Sequence, residues 1–592
     1  MTNSARFALG AHVEAAGTRF GVFTAQPQAF VELLDQRGEV RSTLPLEARG
    51  DGYFELFVPD VGHGALYRFV VGGRSLPDPY ARALPHGVHG PAQVYASSYA
   101  FRHPAPVRPL AQQVIYELHV GTFTQEGTFE AAQRRLPELA DLGITTLELM
   151  PLGAFAGERG WGYDGVALFA PHAAYGTPDQ LRELVDAAHG LGLSVLLDVV
   201  YNHFGPSGNY LGAYSADYFH PELENPWGKA LRFEHAPLRE LVLENARYWL
   251  EEFRFDGLRL DATHAIVDSC RPHVLAELAR EVHAFSPPRV VIAEDERNLA
   301  ELVTHEGLDA LWADDFHHQL QVLLSSERDG YYAGYELSVA ALAETINGGW
   351  LYAGQTSPTT GAPRGTSAAA LPASALVYCI QNHDQVGNRA YGERLSALVA
   401  PELYRAASLL LLFLPMTPLL FMGQEWGASS PFLYFTDHEP ELGRRVSAGR
   451  RGEFAAFSQF SDPAVREQIP DPQASATFER SKLRWDERDV PEHRQLLELY
   501  RAALRLRRED EVLSDGGRHE LRADTLDDAL VVRRRRRGQA RLFAMSFGLR
   551  PIPLAAIAER FGLKRARVVL ASSAEATTQL LPGSAVILAG EA

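Results

Sequence analysis

Eight short apolar segments recur through the middle of the chain, each separated from the next by a stretch with helical character. They are Val114–His119, Ile144–Met150, Ser194–Val200, Gly257–Asp261, Val290–Glu294, Leu311–Asp315, Leu376–Asn382 and Pro418–Gly423. Runs that are apolar without alternation suit strands buried on both faces, and intervening helices impose parallel pairing with right-handed crossovers. Eight such units close a barrel, so the expected centre is a (β/α)8 TIM barrel, with a doubly wound open sheet as the alternative. The first crossover, Phe129–Leu142, reads as one amphipathic helix stopped by Gly143.

The flanks read differently. From Phe7 to about Phe101, short alternating segments such as Thr18–Phe23 and Leu66–Val71 sit between Gly-rich turns, the pattern of a β-sandwich. Beyond Asp515 short strands return, and the five arginines Arg533–Arg537 are expected at a solvated hairpin tip. The chain therefore divides into an N-terminal β-sandwich (1–105), a catalytic barrel (106–514) and a C-terminal β-domain (515–592), a multidomain arrangement in keeping with 592 residues. Residues 201–237, rich in Gly, Pro, Tyr and His, form a long excursion after the third strand. Gly354–Ser374 is a second long, polar loop and a candidate for mobility.

Net charge narrows the partners. With 56 basic and 74 acidic residues the balance is −18, a field that repels polyphosphates and anionic headgroups, so neither nucleic acid nor a membrane surface is expected. Cys270 and Cys379 are the two cysteines, too few for a disulfide framework, and the opening MTNSARFALG lacks an apolar run; both features point to a cytoplasmic location.

In a TIM barrel the reactive side chains lie at the carboxyl ends of the strands. Four ends carry chemistry. The third strand leads into Asp198, Asn202 and His203. On the fourth, Arg259 and Asp261 are two apart and so share one face, where a cation keeps a carboxylate ionised. The fifth ends in Glu294, and the seventh in His383 and Asp384. Carboxylates converging on one mouth suit glycoside hydrolysis, one remaining charged as nucleophile and another held protonated as acid. The same residue types also suit a divalent-metal hydrolase, although Arg259 would compete with a cation for the carboxylate beside it. No metal and no cofactor are expected.

These residues resemble the α-amylase superfamily of retaining glycosidases: Asp198-Val-Val-Tyr-Asn-His203, Gly257-Leu-Arg-Leu-Asp261-Ala-Thr-His264, Glu294 after its apolar strand, and Asn382-His-Asp384. The resemblance implies that Asp261 is the nucleophile, Glu294 the general acid and base, and Asp384 the carboxylate that grips sugar hydroxyls. It implies that Asp198, His203, Arg259 and His383 line the subsite where the sugar ring distorts, that Tyr163 in Gly160-Trp-Gly-Tyr-Asp-Gly165 is its stacking platform, and that His264 faces the leaving group. Asn202 matches a position that helps hold a structural calcium in some relatives.

Within that superfamily, Leu76–Arg82 with Pro85–Pro91, Tyr116–Thr124, Phe421–Trp426, Phe432–His438, Ile469–Pro472 and Thr477–Leu483 are similar to the maltooligosyltrehalose trehalohydrolases, over nearly the whole chain. Arg232-Phe-Glu234 departs from the Asn-Phe-Asp-like triplet of that pattern. The family hydrolyses the α-1,4 bond next to the terminal trehalose of its substrate, so a neutral α-glucan is the expected partner. The competing readings are a debranching or branching enzyme of the same superfamily and a non-catalytic glucan-binding protein.

Overall fold

Eight parallel strands close on themselves in chain order: β1 (Ile115–Leu118), β2 (Thr146–Leu149), β3 (Ser194–Val199), β4 (Gly257–Leu260), β5 (Val290–Ala293), β6 (Ala310–Trp312), β7 (Leu376–Cys379) and β8 (Thr417–Phe421), with β8 pairing back onto β1. This computed structural model describes residues 9–518 and 520–592; Met1–Ala8, on which the reading of the chain's opening partly rests, lie outside the described residues. All eight apolar segments are barrel strands, and the barrel is closed where an open sheet was the alternative. Seven of the strands are buried at every position and β5 at all but its first, which is why their sequences run apolar without alternating.

Two expectations are corrected. The crossover at 129–142 is two helices, Phe129–Gln133 and Leu136–Leu142, because Pro137 has no N–H to give the carbonyl of Gln133 and its ring crowds that turn. Gly143 does end the second helix, in the left-handed conformation (φ 106°). The arginine run is not a hairpin tip: Arg533 to Arg536 belong to the strand Ala529–Arg536, leaving Arg537 and Gly538 as the turn. Alternation turns Arg534 inward to 3% exposure, where it donates to Phe413 O (2.7 Å) and to Asp515 O. Phe413 is the last residue of helix α2 (Pro401–Phe413), which follows helix α1 (Asp314–Ser325) in the barrel wall. Arg507, on helix α3 (Pro491–Glu509), donates to Leu412 O (3.0 Å), Leu414 O and Met416 O (2.8 Å). Two guanidinium groups thus satisfy carbonyls that a helix end leaves orphaned.

Before the barrel, two antiparallel sheets face each other. One holds Gly10–Glu14, Gly17–Phe23, Tyr53–Pro59 and Glu47–Gly50, the other Val40–Pro45, Ala29–Leu34, Leu66–Val71 and Arg74–Leu76. Their apolar faces meet in contacts such as Phe20 edge-on to Tyr67 (5.0 Å between centroids). After the barrel comes a five-stranded antiparallel sheet spanning residues 521–591. The excursion at 201–237 folds into two short helical turns and a hairpin, Phe219–Asn225 with Gly228–Leu231, whose tip returns to the barrel mouth. Gly354–Ser374 is tied down by a Thr356–Pro363 bridge and by Thr366 N donating to Asn298 O (2.9 Å). Among the described residues no helix is long and apolar enough to cross a membrane.

Candidate active site

Arg259 organises the barrel mouth. Its register neighbour on β3 is Asp198, and on β5 the chain runs on one residue past the strand to Glu294. The guanidinium is fully buried over the Trp312 ring (4.0 Å) at the end of β6. Nη1 donates to Asp198 Oδ2 (2.7 Å) and to Asp261 Oδ1 (3.0 Å), and Nη2 donates to Glu294 Oε2 (2.8 Å). One permanent cation therefore touches three carboxylates from three adjacent strands.

Each carboxylate is held differently. Asp261 accepts from Arg259 on Oδ1 and from Asn202 Nδ2 on Oδ2 (2.8 Å), and Asn202 also donates to the Asp261 carbonyl (2.8 Å). Directly after it, Ala262 takes a left-handed backbone (φ 40°, ψ 52°) that aims its N–H at Glu294 Oε2 (2.9 Å). Glu294 Oε2 is thus doubly occupied as an acceptor, which leaves Oε1 to carry a proton. Burial raises Glu294 above the ordinary carboxylate range while Arg259 opposes the shift and Asp261 adds to it. Burial likewise pushes Asp198 up to about 7 against the pull of Arg259.

Opposite, Tyr163 OH donates to Asp198 Oδ2 (2.6 Å) and accepts from His383 Nε2 (2.8 Å), and the two rings stack (5.1 Å, 20°). Burial alone would lower His383, but Asp384 and Glu117 raise it to about 10, so it is an imidazolium with both nitrogens donating. Asp384 lies 3.4 Å from His383 Nε2 and accepts from Asn388 Nδ2 (3.1 Å). His203 is lowered by burial to about 4, hence neutral near pH 7; it contacts Tyr163 O (3.1 Å) and stacks on Trp227 (4.6 Å, 6°) from the tip of the returning hairpin.

Tyr163, Asp198, His203, Arg259, Asp261, Glu294, His383 and Asp384 are thus brought into one connected network. His264 is not part of it: the 3-10 turn Thr263–Ala265 carries its ring toward Glu296 (4.0 Å). The calcium-type position, Asn202, spends its amide on Asp261, and no set of three or more His, Cys, Asp or Glu among the described residues has metal-holding geometry. Arg232 pairs with Asp217 (2.9 Å) in the excursion, away from these groups.

Sequence reading missed Glu117, Glu148, Trp227 and Asp314. Glu117 and Glu148 are register partners in the barrel interior, each 1% exposed, and Glu148 has no hydrogen-bond partner on either oxygen. An acid inside an apolar strand run was the signal for both. Asp314 lies one residue before the end of the sixth apolar segment, Leu311–Asp315, and Trp227 stands out only as a large aromatic at a turn.

Comparison with known proteins agrees with this architecture. The alpha-amylase catalytic-domain family model matches residues 93–225. A curated malto-oligosyltrehalose trehalohydrolase of Deinococcus radiodurans is 51% identical over 527 residues, 88% of this chain and 85% of that protein. One from Saccharolobus solfataricus is 39% identical over 480 residues, 79% and 82% of the respective chains. A crystal structure described as an alpha amylase from Salmonella typhimurium superposes with a TM-score of 0.90 at 38% identity, covering 99% of this chain and all of that one. With relatives this similar over this much of their length, and with a closed barrel whose mouth gathers three carboxylates on one arginine, the chain belongs to the malto-oligosyltrehalose trehalohydrolases, glycosidases of the α-amylase superfamily.

Proposed function

We propose that the protein hydrolyses the α-1,4-glucosidic bond next to the terminal trehalose of maltooligosyltrehalose, with retention, releasing trehalose and a shortened maltooligosaccharide. The observation that carries the reading is the single guanidinium of Arg259 shared by Asp198, Asp261 and Glu294. It places a hydrogen-bonded carboxylate and a raised carboxylic acid side by side, the two groups that a retaining glycosidase needs.

Glu294 gives the proton on Oε1 to the glycosidic oxygen as Asp261 attacks the anomeric carbon. The C–O bond breaks, trehalose departs as an alcohol, and an ester joins the glycan to Asp261. Glu294, now a carboxylate, takes a proton from water, whose oxygen attacks the same carbon; the ester breaks and both carboxyl groups return to their starting states. Through this the ring carries positive charge in the transition state. Asp198 and Asp384 lie where they can hold its hydroxyls, and the Tyr163 ring, fixed by Asp198 and His383, offers an apolar face to stack on. All of these groups are neutral-sugar chemistry, consistent with an oligosaccharide substrate.

The specificity for trehalose rests on the names of the relatives. Initial rates and product chromatography on maltooligosyltrehalose, a linear maltooligosaccharide of equal length and a branched glucan test it. Trehalose release should exceed linear cleavage at least about 100-fold, about 3 kcal/mol in the barrier, with α-1,6 branches left intact. Equal rates on the two linear substrates would make this a general amylase, and preferential α-1,6 cleavage a debranching enzyme.

A further inference from the structure

Two aromatic rings from the loop after β2 close on His383. Tyr163 stacks on the imidazole (5.1 Å, 20°), and Trp161, two residues earlier, meets it at right angles (5.7 Å, 89°). Tyr163 offers a face to the sugar. Trp161 is 7% exposed, so little of its indole is left to touch one.

The segment after β8 anchors the indole. Its Nε1–H donates to Leu433 O (2.9 Å), its plane stacks on Phe432 (5.1 Å, 20°), and Tyr434 stands across it (5.3 Å, 86°). Asp437 of the same segment accepts from Arg159 Nη2 (2.5 Å) and from Glu158 N (2.8 Å), which pins the loop just before Trp161. The anchored ring bears on Gly387. A Cβ at Gly387 would run into Cζ2 and Cη2 of the indole, so the bare backbone there is what lets the two meet.

Gly387 closes the turn His383–Gly387, whose second residue is Asp384. Asp384 accepts from Asn388 Nδ2 (3.1 Å) and lies 3.4 Å from His383 Nε2. Both partners belong to its own segment, so the carboxylate is placed by how the turn is seated. Arg450 Nη2 holds the same turn at its end, donating to Gly387 O (2.8 Å) and Arg389 O (3.0 Å).

We propose that Trp161 is a positioning residue that seats the His383–Gly387 turn, and through it the Asp384 carboxylate, against the ring being cleaved. This rests on the functional reading above, in which Asp384 holds hydroxyls of that ring. The indole moves no charge and no proton. It supplies a rigid packed surface, and a shorter ring in its place lets the turn shift. Because hold on the ring matters most as the ring distorts, the seating acts on kcat more than on KM.

The test takes Trp161→Phe and Gly387→Ala, alone and together, on maltooligosyltrehalose and on α-maltotriosyl fluoride. Trp161→Phe withdraws the ring from Gly387, and kcat should fall roughly 10-fold on both donors with KM changed less than about threefold, since both donors pass through the same distorted ring. Gly387→Ala drives a methyl group into the indole and should cost roughly 100-fold. Beside the shorter phenyl ring the methyl group has room, so the double variant should be about tenfold faster than Gly387→Ala. Rates are counted per folded molecule, from the amplitude of thermal unfolding. If Trp161→Phe does not fold, Trp161→Leu, with and without Gly387→Ala, is read by the same limits. A lower melting temperature with kcat within about twofold of the parent would mean packing alone and overturns the proposal. So does a loss carried by KM alone, a loss spared on the fluoride, or a double variant no faster than Gly387→Ala. Absence of trehalose among the wild-type products defeats the substrate reading, while the fluoride rates still decide the role of Trp161.

Discussion

Glu117 lies beneath His383 and holds it by two bonds, one carboxylate oxygen accepting the backbone N–H at 2.9 Å and the other the ring Nδ1 at 2.5 Å, across 266 residues of sequence. That pairing, with Asp384 beside it, keeps the imidazolium charged despite burial. Removing the charge without the shape should release the proton.

Glu117→Gln should therefore lower the pKa of His383 from about 10 toward neutrality. Near pH 8 the ring would be neutral and its positive charge lost from the site, and kcat/KM should fall roughly tenfold, with little change near pH 5.5. A pH–rate profile of the variant, alongside histidine NMR of the wild type, reads this directly; superimposable profiles would refute it.

Stability should depend on the same proton. A histidine raised from 6.5 to about 10 in the folded state contributes stability that is fully present below pH 6.5 and is lost as pH rises through 10. Denaturant unfolding of the wild type should thus weaken between pH 6.5 and 10, by roughly 5 kcal/mol from this group. His383→Asn should flatten that slope, and an unchanged slope would mean that the charge resides elsewhere.

Glu294→Gln removes the proton donor but keeps the acceptor oxygen for Arg259 and Ala262. Natural substrate should be cleaved at least about 1000-fold more slowly, whereas an α-glycosyl fluoride, which leaves without a proton, should still form the ester with Asp261. Mass spectrometry of the trapped ester is the readout. Equal loss with both donors would indicate a different acid.

Asp261→Asn abolishes the attacking charge while keeping the side chain's shape, with one amide oxygen left to accept from either Arg259 or Asn202. Turnover should drop by about four orders of magnitude or more, with substrate binding retained in calorimetry. Activity within tenfold of the parent would remove Asp261 from the nucleophile position.

Arg534→Leu leaves the carbonyls of Phe413 and Asp515 without donors in a buried setting. Melting should fall by the equivalent of about 2 to 3 kcal/mol, with kcat unchanged in protein that remains folded. A melting curve like that of the parent would show that solvent reaches those carbonyls.

What the sequence disclosed follows from where the signals sit. The barrel was legible because β1 to β8 are buried on both faces and so keep no polar alternation, and the strand-end acids were legible because each terminates such a run. Glu117 and Glu148 are inside the runs, so only the pairing of β1 with β2 reveals them as a couple. The contact between Tyr163 and His383, and that between Trp227 and His203, are made by closure of the barrel and by a returning hairpin, which no local pattern encodes. His264, which the family resemblance implies faces the leaving group, sits on a 3-10 turn with its ring toward Glu296, outside the hydrogen-bonded network. The arginine run misled because charge density outweighed the strand alternation that buries every second side chain.

Ala262 bears a last consequence. A residue with a Cβ in the left-handed region sacrifices on the order of 1 to 2 kcal/mol that glycine there would largely recover. Glycine at this position would ease the backbone, and with it the firmness with which one amide is trained on the acid. Folding and turnover thus pull in opposite directions at a single residue, and a search for more heat-resistant variants that accepts Ala262→Gly on melting temperature alone should select a sturdier protein with a slacker, slower acid.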